Sequence, residues 1–160
     1  SWLSFTTLYP NLGVNRTDEK EFVVAGIPGL IEDAHIGKGL GHKFLGHIER
    51  CKILLHLIDI TNKNIMESFQ VIENELKAYN EKVYNKDQIL VFTKCDAFNE
   101  KKLNDIKKNI NGINVENAFF ISSVTGLNID SLCRKIIEMI NSEKEKDDNY
   151  FDQKSSTWEP

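Results

Sequence analysis

The chain has 160 residues, 41% of them hydrophobic and 28% charged, with a formal net charge of −4. That length fits one domain, and no stretch approaches the roughly 18 apolar residues of a membrane span, so no membrane partner is expected. The charge is uneven: residues 143–160 hold six acidic side chains against three lysines, which leaves a near-neutral body without the basic face that DNA binding calls for.

Strand and helix patterns alternate along the chain. Glu21–Ala25 is a short apolar run that ends at Gly26-Ile27-Pro28-Gly29. Ile53–Ile60 is longer and almost continuously apolar, as a strand buried on both faces is. Ile65, Phe69, Ile72, Leu76 and Tyr79 then recur at helical spacing. A third strand is expected over Gln88–Phe92, a helix with its apolar stripe on Leu103, Ile106 and Ile110, and a fourth strand over Ala118–Ile121. The last helix carries Ile129, Leu132, Ile136 and Ile140, with Asn128 as its cap. Phe119 and Phe120 read as core residues. From Glu143 onward the composition turns polar and acidic, so residues 1–142 are read as the domain and residues 143–160 as a disordered acidic tail. The alternation predicts an α/β fold with a mostly parallel sheet.

Three cysteines, Cys51, Cys95 and Cys133, lie far apart with no C-x-x-C pair. This argues against a disulfide framework and a zinc site, and for a reducing, cytoplasmic compartment. His42 and His47 are five residues apart, off the spacing that a helical metal pair needs, and His56 sits mid-strand as a core or sheet-face residue.

Open parallel sheets bind ligands beyond the carboxyl ends of their strands. The residues at those ends are Gly26 to Gly29, Asp59-Ile60-Thr61, Thr93-Lys94-Cys95-Asp96 and Ser122-Ser123-Val124, every set polar or glycine-rich. A carboxylate at Asp96 can accept the N1 and N2 donors of a guanine edge, a donor pair that adenine lacks. The stem of Lys94 can lie over the base, and the backbone of Ser122 to Val124 can offer an N–H to the guanine oxygen. Gly29 allows a backbone N–H to approach a phosphate without a Cβ in the way. A threonine in the upstream Phe5-Thr6-Thr7-Leu8 stretch can complete the shell of a magnesium ion carried by nucleotide phosphates.

Phe5–Gly13 (FTTLYPNLG), Ala25–His35 (AGIPGLIEDAH), Gly37–Cys51 (GKGLGHKFLGHIERC), Thr93–Asp96 and Ile121–Gly126 (ISSVTG) together resemble the G domain of the Obg family of ribosome-associated GTPases over about residues 5–142. The resemblance implies a P-loop NTPase-like fold that binds GTP and GDP with Mg2+, hydrolyses GTP and acts on the large ribosomal subunit or its RNA during assembly. It implies Thr7 as the metal ligand of switch I and Gly29 as a γ-phosphate contact. It implies Thr93, Lys94 and Asp96 as the base-recognition motif, and Ser122, Ser123 and Val124 as the last guanine loop.

Two departures stand out. The family's switch II reads Asp-x-Pro-Gly, and here Gly26 takes the aspartate position. No G-x-x-x-x-G-K-[ST] loop occurs in the chain; the resemblance places that loop, and the central strand before it, upstream of the FTTL segment. The chain is therefore expected to be a fragment or the product of a decayed gene. The Glu21–Ala25 and Ile53–Ile60 strands should then face a gap one strand wide, and the chain alone should fold poorly or by rearrangement. The alternative to an enzyme is a non-catalytic interaction module.

Overall fold

The computed structural model describes residues 11–17, 20–26, 48–79, 81–110, 112–113 and 117–155. Its centre is strand β4 (Asp87–Thr93), flanked in a parallel sheet by β3 (Ile53–Asp59) and β5 (Phe119–Phe120) in the order β3-β4-β5. The register pairs Ile53 with Asp87, Asp59 with Thr93 and Val91 with Phe119. Side chains of β4 alternate between the two faces. Ile89 and Val91 enter a core with Ile121, Leu132, Cys133 and Ile136, while Leu90 and Phe92 pack with Ile58, Ile60, Cys95 and Ile110 on the other. Phe92 is fully buried and stacks on Phe120 at 4.8 Å between ring centroids. Both faces of the strand are apolar, which is why its sequence reads as an unbroken run.

Helices complete the layers. Helix α1 (Ile65–Tyr79) and a short turn of helix, α2 (Glu81–Tyr84), join β3 to β4. Helix α3 (Glu100–Asn109) lies between β4 and β5, and Asn99 caps it by accepting the Lys102 N–H at 2.9 Å. Helix α4 (Ile129–Ser155) follows β5. Its first backbone bond, from Leu132 N–H, goes to the Asn128 carbonyl, yet the Asn128 side chain does not cap it. Asn128 is left-handed, at φ 57°, and its amide donates instead to the Phe120 carbonyl at 2.8 Å. The helix also runs past residue 142, where the polar composition predicts an end. The acidic residues there alternate with lysines: Lys146 pairs with Glu143 one turn back and lies 3.9 Å from Asp87 at the start of β4. No helix among the described residues is long and apolar enough to cross a membrane.

Strands β1 (Asn11–Thr17) and β2 (Lys20–Gly26) form a separate antiparallel hairpin, with Asn11 opposite Gly26 and Thr17 opposite Lys20. Strand β2 falls on the predicted Glu21–Ala25 run. Strand β1 was not evident in the sequence, because a hairpin outside the main sheet can form from the largely polar NLGVNRT. Phe22 joins the core on the α4 side, but β2 does not pair with β3. Between them lies a cavity of about 540 Å3, walled by the two strands and by Ile72 and Leu76 of α1 and Ile136 and Ile140 of α4. Among the described residues no strand occupies that space. Val23 and Leu57 beside it are 63% and 59% exposed.

His56, midway along β3, stacks on Phe69 at 5.3 Å, and its Nδ1 is buried without a hydrogen-bond partner. Burial disfavours the imidazolium and pushes the His56 pKa down to about 4. Between pH 6.5 and about 4 the unfolded imidazole therefore holds a proton that the folded one does not, so stability falls as pH drops through that window. A stability loss of roughly 2–3 kcal/mol is expected across it. The loss should disappear in His56→Gln when denaturant midpoints of the two proteins are compared at each pH.

Candidate functional site

The carboxyl ends of β3, β4 and β5 lie side by side, and the polar strand-end residues converge there. The ladder continues past the strands: Ile60 N–H donates to the Thr93 carbonyl at 3.1 Å, Ile121 N–H to Phe92 at 2.8 Å and Cys95 N–H to Ile121 at 3.0 Å. The segment after β4 is thus fixed to both neighbours. Lys94 then adopts a left-handed conformation, φ 61° and ψ 32°, and Cys95–Ala97 forms a single 3-10 turn. Cys95 is buried in the core and its thiol is pushed up by burial, which keeps it protonated and anchors the turn.

The turn leaves Asp96 exposed at the rim. Ser122, which is 0% exposed, donates its hydroxyl to Asp96 Oδ1 at 2.6 Å and accepts the Thr125 N–H at 3.2 Å. One buried hydroxyl therefore joins the two loops after β4 and β5. A carboxylate oxygen has two acceptor sites, so Oδ1 keeps one, and Oδ2 has no partner among the described residues. The loop after Ser122 closes through Ser122 N–H to the Leu127 carbonyl and Gly126 N–H to the Ser122 carbonyl, at 3.2 and 2.9 Å. Gly126 has φ +78°, a conformation that the turn requires and that glycine adopts without strain. The N–H groups of Ser123 and Val124 make no hydrogen bond among the described residues, and the Val124 side chain is 83% exposed. The site thus offers a fixed carboxylate and two unspent backbone donors.

Thr93 is half-buried, and its hydroxyl donates to the Ile58 carbonyl at 3.4 Å, so its side chain serves the β3–β4 seam. Lys94 carries its ammonium to Asp59 Oδ2 at 2.6 Å. Asp59 Oδ1 accepts both the N–H and the hydroxyl of Thr61, at 2.9 and 2.6 Å. Partial burial works against the Asp59 anion, but the bonds from Lys94 and Thr61 together outweigh it and hold the carboxyl below its usual range. The hydrogen bond to Asp59 raises the Lys94 ammonium in turn.

The predicted residues thus divide into three groups. Asp96, Ser122, Ser123 and Val124 form one cluster. Thr93 and Lys94 border it but engage β3. Thr7 and Gly29 lie outside the described residues, as do His42, His47 and the Gly37–Gly41 stretch. Gly26 is exposed at the end of β2 and supplies no side-chain oxygen. Among the described residues no group of three or more His, Cys, Asp or Glu side chains could hold a metal ion, and Thr7, the expected magnesium ligand, lies outside them. Asp59 was visible in the sequence only as a polar strand end; nothing there showed that it meets Lys94.

A parallel sheet with helices between its strands, and polar loops at its carboxyl edge, places the chain in the α/β class. The family model described as 50S ribosome-binding GTPase matches residues 1–94. The chain belongs to that family and is of the Obg type. It is 44% identical over 149 residues to the GTPase Obg of Wolbachia pipientis subsp. Culex pipiens (strain wPip), covering 92% of this chain and 42% of that protein. It is 50% identical over 120 residues to the GTPase Obg of Ehrlichia canis (strain Jake), covering 75% and 35% respectively. The chain thus spans less than half the length of these curated relatives. Among solved structures, its fold matches Era in complex with MgGDPNP and a segment of 16S ribosomal RNA, with a TM-score of 0.60 at 22% identity over 84% of this chain and 45% of that one.

Ser122→Ala removes the bond to Asp96 and the acceptor of the Thr125 N–H, and both former partners lie on exposed residues. We expect a loss of about 0.5–1.5 kcal/mol in urea denaturation, whereas Ser123→Ala, at an exposed position, should cost little.

Proposed function

We propose that this chain is the guanine-reading part of an Obg-type GTPase that binds GTP and GDP, hydrolyses GTP and acts on the large ribosomal subunit in the cytoplasm. The observation that carries the reading is the Asp96 carboxylate, fixed by buried Ser122 beside the unspent N–H groups of Ser123 and Val124. Asp96 accepts the guanine N1 and N2 donors, and the Ser123 or Val124 N–H meets the guanine oxygen. The stem of Lys94 lies over the base. Adenine offers no paired donors to Asp96 and no oxygen to the loop, so it leaves both sides unpaired. Gly29 contacts the γ-phosphate, and Thr7 supplies a magnesium ligand; when bound, the ion neutralises phosphate charge. Residues 1–142 form the nucleotide-binding unit, with 143–160 beyond it.

The ribosomal role follows from the family. The lysines of α3 offer it little independent support: Lys101, Lys102 and Lys108 are exposed, but Lys107 lies over the Phe120 ring at 4.2 Å, covering the core. Pelleting with purified large subunits in the presence of a non-hydrolysable GTP analogue tests it directly.

For the intact protein, GDP is expected to displace a fluorescent guanine nucleotide at least about 100-fold better than ADP. Asp96→Asn should shift preference towards xanthosine diphosphate, whose C2 oxygen accepts where guanine donates. Equal affinity for GDP and ADP would refute the assignment of Asp96.

The second reading, a non-catalytic interaction module, is favoured by Gly26, which leaves the switch II carboxylate position without an oxygen. Replacing Gly26 with Asp is expected to tighten nucleotide binding in magnesium but not in EDTA. Unchanged affinity in both would mean that binding does not depend on this carboxylate.

A further inference from the structure

One strand-end set, Asp59-Ile60-Thr61, has no part in the reading above, although it lies at the same edge of the sheet. We propose that Asp59 is a positioning residue for base recognition: it holds the Lys94 ammonium so that the Lys94 stem is already in place as one wall of the base site. The inference rests on the guanine-nucleotide reading.

The geometry divides the Asp59 carboxylate into two halves. Oδ1 is taken by the N–H and hydroxyl of Thr61, so the carboxylate plane is set within its own turn. Oδ2 faces the other way, to Lys94 Nζ at 2.6 Å. Lys94 itself is held at its backbone by the left-handed conformation between β4 and the 3-10 turn. A lysine fixed only at its backbone keeps four rotatable side-chain bonds, and binding a base against it would have to order them. Anchoring the far end removes most of that freedom before the ligand arrives. The carboxylate is partly sheltered and held anionic by its hydrogen bonds, so the pair is formed at neutral pH. Asp59 is not placed to touch the base: β3 lies on the far side of β4 from the Ser122 loop, so it acts through Lys94. Asp96 selects the base, and Asp59 and Lys94 together set how strongly any base seated there is held.

The test is a double-mutant cycle on the intact protein, read by titration of fluorescent GDP and competition with ADP. Asp59→Ala should weaken GDP binding roughly three- to tenfold, with the preference for GDP over ADP unchanged. Asp59→Asn, which keeps the shape without the charge, should behave like the alanine variant, and the loss should shrink at high salt. Lys94→Met keeps an apolar stem without the ammonium, and in that background Asp59→Ala should have no further effect. Undiminished GDP affinity in Asp59→Ala would overturn the proposal. So would a loss of equal size in the Lys94→Met background, which would mean that Asp59 acts by another route, such as the stability of the β3 end. If wild-type protein fails to prefer GDP and Asp96→Asn changes nothing, the guanine reading itself falls, and this inference with it. If the preference is intact while the cycle shows no coupling, only the role of Asp59 is lost.

Discussion

The burial of β4 on both faces is the constraint from which the rest of the structure follows. Ile89 and Val91 face one core, Leu90 and Phe92 the other, and β3 and β5 close its two edges. Between Ile89 and Phe92 a strand in that position has no room for a polar side chain. Chemistry is confined to its carboxyl end, where the chain must turn, and there Thr93, Lys94 and Asp96 follow one another. Strand β3, half-buried and carrying His56 at its middle, ends at the same level in Asp59, and β5 gives way to Ser122. Three polar sets meet because three strands stop at one level of a common register.

The two interactions that arrange this edge differ in kind. Ser122 to Asp96 is a charge-assisted bond whose donor is wholly buried and therefore held in one place by its surroundings. Lys94 to Asp59 spans two partly exposed groups, and solvent screening limits what it adds to stability. The first is suited to fixing an atom that must select, the second to restraining a side chain that only has to stay near. A rigid selector and a soft wall are compatible with a ligand that enters and leaves.

Much of the fold was legible because each main element had one dominant signal. The runs at Ile53–Ile60 and Gln88–Phe92 were apolar on both faces, and the stripes from Ile65 and Ile129 kept helical spacing. What escaped had a different cause in each case. Strand β1 carries Leu12 and Val14 among polar residues and pairs only with β2, so it had no core-facing pattern to show. Asn128 was recognised as the residue before a helix, but a polar amide there has a choice between its own helix and a neighbouring strand, and the exposed Phe120 carbonyl won. Residues beyond Ser142 looked like a tail because their composition turns polar and acidic, yet lysine and glutamate at one-turn spacing let the helix continue. At the candidate site, the residues near Asp96 were legible from their order along the chain. The ion pair between Asp59 and Lys94 was not, since it depends on strand register and on a left-handed backbone at Lys94, neither of which a residue spacing reveals.

The separation of β2 from β3 bears on how the two sheets are held together. Each of those strands presents one side to a partner within its own sheet and the other side to the cavity between the sheets, with Val23 and Leu57 standing in solvent beside it. Natural sheets usually guard such margins with charge, proline or a bulge. Along Ile53–Asp59 the only charge is the terminal aspartate, which is already engaged by lysine and threonine. The two sheets are joined by side chains and not by a main-chain ladder, with Phe22 reaching the core on the α4 side, so a substitution at that one ring would loosen the hairpin without touching the parallel sheet.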